Sequence, residues 1–275
     1  MKKEEKTYYE EIKDWDFSMF EIETINFTNW DMYEKLEEIT NENSKVLDLG
    51  TGGGEKVLEK FPQVKEILGT DFSEEMIKTA NKNLKESGKK NIKFEVMDNL
   101  NMTTPKEYFD VVVARNTVTD PTQIYETLKP GGYVLIHGVD QHDCHELKRI
   151  FGYGQAFNDT KPISVIDYEN VLDAGFDDVE LVPLHTHEYF KTKKDFLSFL
   201  LKVPILIEIS EEENDHVDYY LNSIDEEKLE KYIQRNTYPQ GIRLIRRYYG
   251  IIGRKSSKKT KIDNKNLSFF DIINM

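Results

Sequence analysis

Short apolar runs alternate with helix-like segments through the first half of the chain. The apolar runs that have the length of strands lie at 46–49, 64–70, 92–96, 109–114 and 133–136. Between them, residues 55–60 and 74–86 repeat apolar side chains with helical spacing. Strands that alternate with helices predict a doubly wound α/β fold, in which a mostly parallel sheet is joined by right-handed crossovers.

The second half of the chain has a different order of elements. One strand is predicted at 179–184 and another at 242–253, which brings the predicted sheet to seven strands. We expect the last strand to be antiparallel, because the chain leaves no room for a further crossover before it. Helix-like segments at 196–206 and 225–234 predict a helical insertion, or cap, at about 190–236.

Both ends of the chain differ in composition from its centre. Residues 1–44 hold thirteen Asp or Glu against five Lys, together with eight aromatic residues. Their clearest helical pattern suits either a helix packed on the sheet edge or a lid whose aromatic side chains line a pocket. The last residues carry six Lys or Arg against two Asp or Glu. The predicted divisions are an N-terminal helical lid at 1–43, a central domain at 44–253 and a basic tail of unassigned role at 254–275.

The most informative segment is 46–55, Val-Leu-Asp-Leu-Gly-Thr-Gly-Gly-Gly-Glu. An apolar strand leads here into a glycine-rich loop, and helical spacing resumes at Glu55. Because glycine has no Cβ, a ligand can come very close to such a loop. Strand, glycine loop and helix in this order are typical of sites for nucleotide-like ligands, although an ordinary tight turn has the same pattern.

Polar residues follow the carboxyl ends of the other predicted strands. They are Asp71, Asp98, Asn99, Arg115, Asn116 and His137. Parallel strands end at the same edge of a sheet, and ligands of doubly wound folds bind outside that edge. The sequence therefore predicts one site that combines the glycine loop with these side chains.

Composition narrows the classes of partner. The 275 residues carry a formal net charge of −14, which disfavours a nucleic-acid substrate. The chain has one cysteine, Cys144, and therefore no intrachain disulfide, which favours a reducing cytoplasm. Neither a signal sequence nor a run of about 18 apolar residues is visible, so we expect no membrane segment.

Two kinds of nucleotide-like ligand suit the glycine loop. A dinucleotide site needs Gly-x-Gly-x-x-Gly, but Glu55 stands where the third glycine belongs. Asp48, two residues before Gly50, would repel phosphates and would help order a loop around a cationic ligand. Asp71 suits a ribose in either case. Glu55 and Asp48 therefore disfavour a nicotinamide oxidoreductase.

Five ordered motifs over about residues 44–138 resemble those of class I S-adenosylmethionine-dependent methyltransferases, chiefly the small-molecule type. The glycine loop with Asp48 resembles motif I, and Gly69-Thr-Asp71-Phe-Ser resembles the acidic motif II. Met97-Asp98-Asn99 is similar to the adenine-contacting motif, 109–116 to motif IV, and 128–136 to the turn before the fifth strand. The resemblance implies a Rossmann-like sheet and S-adenosyl-L-methionine as the cofactor.

The resemblance also implies roles for single residues. Asp71 would accept hydrogen bonds from both ribose hydroxyls, and Asp98 would accept one from the adenine amine. Phe72 would pack on the adenine face, and the Asn99 backbone would reach a ring nitrogen. The amino-acid tail and its loop would be held by Asp48, Gly50, Thr51, Gly52 and Arg115, the last through its carbonyl.

His137 is the candidate general base, because it follows the fifth strand. An acidic acceptor would need only proximity, so the need for a base stays open. Further candidates are His142, His145 and Tyr153. No metal is predicted, because neither His142-Asp-Cys144-His145 nor His185-Thr-His187 matches a closed zinc pattern.

The favoured function is therefore methyl transfer to an oxygen, nitrogen or carbon atom of a small-molecule acceptor. An RNA or protein methyltransferase is the alternative suggested by Arg243, Arg246 and Arg247 and by the basic tail. A module that binds S-adenosylmethionine without catalysis is also open. The sequence predicts neither the identity of the acceptor nor the oligomeric state.

Overall fold

The computed structural model describes residues 19–206 and 224–257, which form a mixed sheet covered by helices. The strands are β1 (Ile22–Asn26), β2 (Lys45–Leu49), β3 (Glu66–Asp71), β4 (Ile92–Val96), β5 (Phe109–Arg115), β6 (Leu128–Val139), β7 (Phe176–Phe190), β8 (Thr237–Tyr238) and β9 (Gly241–Lys255). The helices are α1 (Met32–Ile39), α2 (Glu55–Lys60), α3 (Glu74–Ser87), α4 (Pro121–Thr127), α5 (His145–Phe151), α6 (Ile163–Asp173), α7 (Lys193–Lys202) and α8 (Glu226–Asn236).

The strand order is β1-β7-β9-β6-β5-β2-β3-β4, with β8 paired to β9. Neighbouring strands from β6 to β4 are parallel. Strand β9 is antiparallel to both β6 and β7, which confirms the predicted last strand. The doubly wound α/β class and all seven predicted strands are thus confirmed.

The predicted count of seven strands was wrong by two, because β1 and β8 also belong to the sheet. Four of the five residues of β1 are exposed, so no buried apolar run marks this edge strand in the sequence. Strand β8 has two residues and cannot show a period. The predicted helical lid is consequently part strand, since β1 precedes the short helix α1.

Side chains of the central strands alternate between two apolar cores, one on each face of the sheet. Val46, Val113 and Leu135 lie in the core beneath α1, α2 and α3. Leu47 and Val112 lie in the opposite core beneath α4 and α6. Because both faces are covered, these strands appear in the sequence as continuous apolar runs.

A third core joins the cap to the C-terminal part of β7 and the N-terminal part of β9. Phe196 on α7 stacks on Tyr232 of α8, with ring centroids 5.7 Å apart and planes at 9°. Phe190 and Leu244 supply the floor of this core from the sheet. The rest of the cap at 207–223, the lid before residue 19 and the tail after 257 lie outside the described residues.

Helix α5, which spans seven residues, was not predicted from the sequence. Within 19–206 and 224–257, no helix combines the length and the apolar character needed to cross a membrane.

Candidate functional site

The loop between β2 and α2 depends on glycine for its shape. Gly50, Gly52 and Gly54 have φ angles of 72°, 56° and 77°, the left-handed region that favours glycine. A Cβ on Gly50 would lie 2.7 Å from the Cβ of Thr117, and one on Gly54 would lie 2.6 Å from a ring carbon of Phe94. The loop therefore packs flat against Thr117 and Phe94, at positions where only glycine fits.

Asp71, at the end of β3, holds the glycine loop in place. Its two carboxylate oxygens accept hydrogen bonds from the backbone N–H of Gly52 at 3.0 Å and of Ser73 at 2.9 Å. Burial raises the pKa of Asp71, and these two N–H groups counteract that rise. Each oxygen keeps a lone pair for a ligand, so the group can serve the loop and a diol together.

Asp48 is a second buried carboxyl group, one strand away from Asp71. It is 7% exposed, and burial raises its pKa to about 7, against the lowering effects of Thr51 and of the Arg115 charge. Burial raises the pKa of the Tyr33 hydroxyl on α1 to about 12. Tyr33 also lies close enough to Arg115 and Asp48 for their charges to affect this pKa. Helix α1 therefore lies over the face of the sheet that carries Asp48 and Arg115.

Asp98 and Asn99 follow β4 and differ in exposure. Asp98 is exposed and accepts hydrogen bonds from the Leu100 backbone N–H at 2.9 Å and the Asn101 amide at 3.0 Å. The Asn99 side chain is buried and donates to the Thr117 hydroxyl at 3.0 Å. Its Oδ1 atom is buried without a hydrogen-bond partner among the described residues, so an acceptor is left for a ligand.

The sheet register brings the predicted residues together along one edge. Leu49, just before Gly50, pairs with Ala114, and Arg115 pairs with His137. Because neighbouring strands lie about 4.8 Å apart, His137 is roughly 10 Å from the glycine loop. Phe72, Asp98 and Asn99 extend the same edge in the other direction, beyond β3 and β4.

His137 lies at the end of β6, with its ring nitrogens in different surroundings. Nδ1 is 3.1 Å from the Asn116 amide oxygen and donates to it, which leaves the Nε2 lone pair as an acceptor. Burial, assisted by the Arg115 charge, lowers the pKa of His137 to about 4. The imidazole is thus neutral at pH 7 but is a weak base.

Tyr248 lies beside His137, and sequence reasoning did not single it out. Its ring centroid lies 5.0 Å from that of His137, at an interplanar angle of 37°. The alternation of β9 was a usable signal, because it places Tyr248 on the same face as Gly250, the residue paired with His137. The sequence alone did not show which face of β9 would meet the site.

The predicted arginine cluster is divided between the two faces of β9. Arg246 is buried, with Nε 3.0 Å from Asp143 and a terminal nitrogen 3.3 Å from Glu188. The alternation of the strand sends Arg243 and Arg247 to the opposite face. The three guanidinium groups therefore do not form one basic patch.

Neither histidine pair forms a metal site among the described residues. His185 and His187 approach each other with their Nε2 atoms 3.2 Å apart, and the rings of His142 and His145 lie 5.4 Å apart. In the described stretches, no three His, Cys, Asp or Glu side chains are grouped to hold a metal. Tyr153, the remaining candidate base, packs at the edge of the cap core.

Comparisons with known proteins give a consistent picture. Residues 40–175 match a family model described as a methyltransferase domain. Demethylmenaquinone methyltransferase of Lactococcus lactis is 37% identical over 100 residues, which are 33% of this chain and 40% of that protein. Ubiquinone biosynthesis O-methyltransferase of Coxiella burnetii is 29% identical over 131 residues, 44% of this chain and 55% of that protein. The chain thus spans about half the length of these curated relatives.

Solved structures share the fold at lower identity. The YcgJ protein of Bacillus subtilis superposes with a TM-score of 0.52 and 17% identity, covering 82% of this chain and 97% of that one. At this identity the likeness shows the arrangement of the sheet and helices and nothing about the reaction.

Proposed function

Because the chain belongs to the class I S-adenosylmethionine-dependent methyltransferase family, we propose that it transfers a methyl group from S-adenosyl-L-methionine to a small-molecule acceptor. The observation that carries the proposal is the hydrogen bond from the Gly52 N–H to Asp71, which joins the flat glycine loop to a buried acid. A diol bound by Asp71 would therefore belong to a ligand that also touches the loop.

The residues fit this cofactor in three ways. Asp71 can still accept hydrogen bonds from the ribose hydroxyls. The buried Oδ1 of Asn99 has no donor among the described residues and could accept a hydrogen bond from an adenine amine. Asp48 supplies a negative charge near the loop, and a cation bound there would lower its raised pKa. Arg115 places its carbonyl at the end of β5, beside the first glycine.

When bound, the cofactor supplies a methyl carbon that is activated by a positively charged sulfur. The protein holds this ligand against β2 and β3, while α1 and Tyr33 keep water from the face of the sheet that carries Asp48. The contact of His137 Nδ1 with Asn116 leaves Nε2 to take a proton in this proposal. Since its pKa is about 4, it suits an acceptor whose proton is already acidic.

Three observations support a small acceptor. The names of the two relatives described above refer to demethylmenaquinone and to ubiquinone biosynthesis. The alternative of an RNA substrate loses its strongest support, because Arg246 is neutralised by Asp143 and Glu188 and is buried. A net charge of −14 further weakens the attraction of a phosphate backbone.

Calorimetry with S-adenosylhomocysteine tests the proposal. We expect saturable binding, and we expect Asp71→Ala to weaken it by about 100-fold, because two charge-assisted hydrogen bonds are lost. Glu74→Ala is the matched control, since Glu74 is an exposed acid three residues away. An Asp71→Ala protein that binds as tightly as the wild type, or a wild type that does not bind, would refute the proposal.

A further inference from the structure

We propose that Tyr248 and His137 together bind the hydroxyl group of a flat conjugated acceptor, such as a phenol or an enol. In this arrangement the Tyr248 hydroxyl donates to the acceptor oxygen, and His137 Nε2 accepts the proton of the same group. The inference rests on the proposed function and deepens it, because it names the class of acceptor.

The position of the two rings is the first argument. His137 pairs with Gly250 across β6 and β9, and the ring of Tyr248 lies 5.0 Å from the imidazole. A Cβ on Gly250 would come within 2.6 Å of the indole of Trp30, so this ring lies directly on the same strand. Three flat side chains thus line the sheet edge beside Arg115, where a planar acceptor finds stacking surfaces.

The hydrogen-bonding capacity of the pair is the second argument. Nδ1 of His137 is used by Asn116, while Nε2 bonds to none of the described residues. The Tyr248 hydroxyl likewise makes no hydrogen bond within the described part of the chain. Burial raises the pKa of Tyr248 well above its ordinary value, so the group stays a donor. A donor and an acceptor on two rings whose centroids lie 5.0 Å apart match the bonding capacity of one hydroxyl group.

The local charge is the third argument. Arg246 is neutralised by Asp143 and Glu188, and its guanidinium lies 4.9 Å from the Tyr248 ring, which fixes that ring by a cation–π contact. Arg115 has no ion pair with any described residue and adjoins His137 in register. This positive charge favours an acceptor that becomes an oxyanion and disfavours a protonated amine.

The proposed transfer needs these two side chains, the acceptor and S-adenosyl-L-methionine as the methyl donor. The O–H bond of the acceptor breaks, and its proton passes to His137 Nε2 and then to solvent. The acceptor oxygen would then bond to the methyl carbon of a bound S-adenosyl-L-methionine, and the electron pair of the broken carbon–sulfur bond would stay on sulfur.

The test uses 4-nitrophenol, whose visible absorbance reports its ionisation, added to the 275-residue chain saturated with S-adenosylhomocysteine. We expect saturable binding with an increased phenolate fraction at constant pH. Tyr248→Phe should weaken binding by about tenfold, the effect of one hydrogen bond. His137→Gln should reduce the increase in phenolate. Tyr238→Phe is the matched control, because this tyrosine is exposed on β8.

The amine 4-nitrobenzylamine, which carries the same ring, should compete poorly. Equal binding of this amine, an unchanged affinity in Tyr248→Phe, or no binding of 4-nitrophenol to the saturated protein would each overturn the inference. S-adenosylhomocysteine affinity is measured in parallel for every variant. If the wild type does not bind S-adenosylhomocysteine, the proposed function is contradicted. If it binds S-adenosylhomocysteine but fails the tests with 4-nitrophenol, only the inference about the acceptor is contradicted.

Discussion

Asp48 and Asp71 are buried carboxyl groups at strand ends, where neutral side chains would be easier to bury. Neither has a lysine or arginine within ion-pair distance among the described residues, and burial raises the pKa of both. Groups with such shifts in a crevice are candidates for function, because stability alone gives no reason to keep them. At the scale of single residues, the burial of these two carboxyl groups therefore lowers the stability of the fold.

Asp48→Asn tests this statement through its pH dependence. The pKa of Asp48 rises from 3.8 to about 7 on folding, so the folded chain binds the proton more tightly. The stabilisation from that proton is present at low pH and is lost as the pH rises towards 7. We expect Asp48→Asn to raise the free energy of unfolding by about 1–3 kcal/mol at pH 8 and by much less at pH 4.

Urea unfolding of the wild type and of Asp48→Asn at both pH values measures this difference. Glu74→Gln, which changes an exposed acid, should alter neither value by more than about 0.5 kcal/mol. A destabilised Asp48→Asn protein at pH 8 would mean that the carboxylate supports the fold.

Gly50 shows a different residue-scale requirement, which combines backbone angle with crowding. Gly50→Ala must adopt a φ near 72° and place its Cβ 2.7 Å from Thr117. We expect it to lose about 2–4 kcal/mol of stability, the sum of left-handed strain and overpacking, and to bind S-adenosylhomocysteine weakly.

Gly88→Ala is the matched control for Gly50→Ala. Gly88 has a φ of 69°, but a Cβ there would meet nothing within 4 Å. Gly88→Ala should therefore lose only the stability that corresponds to the left-handed strain, about 1–2 kcal/mol, and should bind S-adenosylhomocysteine normally. Equal losses in the two variants, measured by thermal unfolding, would show that the contact with Thr117 is unimportant.

At the scale of elements, a buried ion network joins the cap to the sheet. Arg246 of β9 reaches Asp143, just before α5, and Glu188 of β7, and its guanidinium also lies 5.5 Å from the Phe199 ring of α7. Asp143 further accepts a hydrogen bond from the Arg247 backbone N–H at 2.7 Å. The position of Tyr248 therefore depends on elements that are distant in sequence.

Asp143→Asn should weaken this junction by about 2–4 kcal/mol, because Arg246 keeps its burial but loses a charged partner. The exposed pair of Lys193 and Glu230 offers a control, and Glu230→Gln should change stability by less than about 1 kcal/mol. Chemical unfolding measures both. The affinity of Asp143→Asn for S-adenosylhomocysteine should stay near that of the wild type, and a large loss would indicate that the cap also holds the cofactor.

At the scale of the whole molecule, the sheet separates two tasks. The parallel strands β2 to β5 carry the glycine loop and the acids, and the antiparallel strands β7 and β9 carry the cap and Tyr248. Strand β6 lies between them and ends at His137. The proposed acceptor site therefore lies at the boundary between the parallel half and the cap, where differences in the cap would change the acceptor without altering the proposed cofactor site.

The sequence by itself determined the parallel half of the fold and indicated that the proposed cofactor residues follow the ends of its strands. Those strands are buried on both faces and are followed by glycine or by short polar residues, so each signal is local and lies within a few positions. Topology then places all strand ends at one edge, which is why Asp48, Asp71, Asn99 and His137 could be expected to meet.

Only the tertiary structure decided the rest. The exposed strand β1 and the short helix α5 lack a periodic pattern, and the division of the arginine cluster depends on which face of β9 meets the cap. The ring contact between Tyr248 and His137 joins residues more than 100 positions apart, which the antiparallel pairing of β6 with β9 brings together. Such contacts arise from packing between distant elements, and no local pattern of residues encodes them.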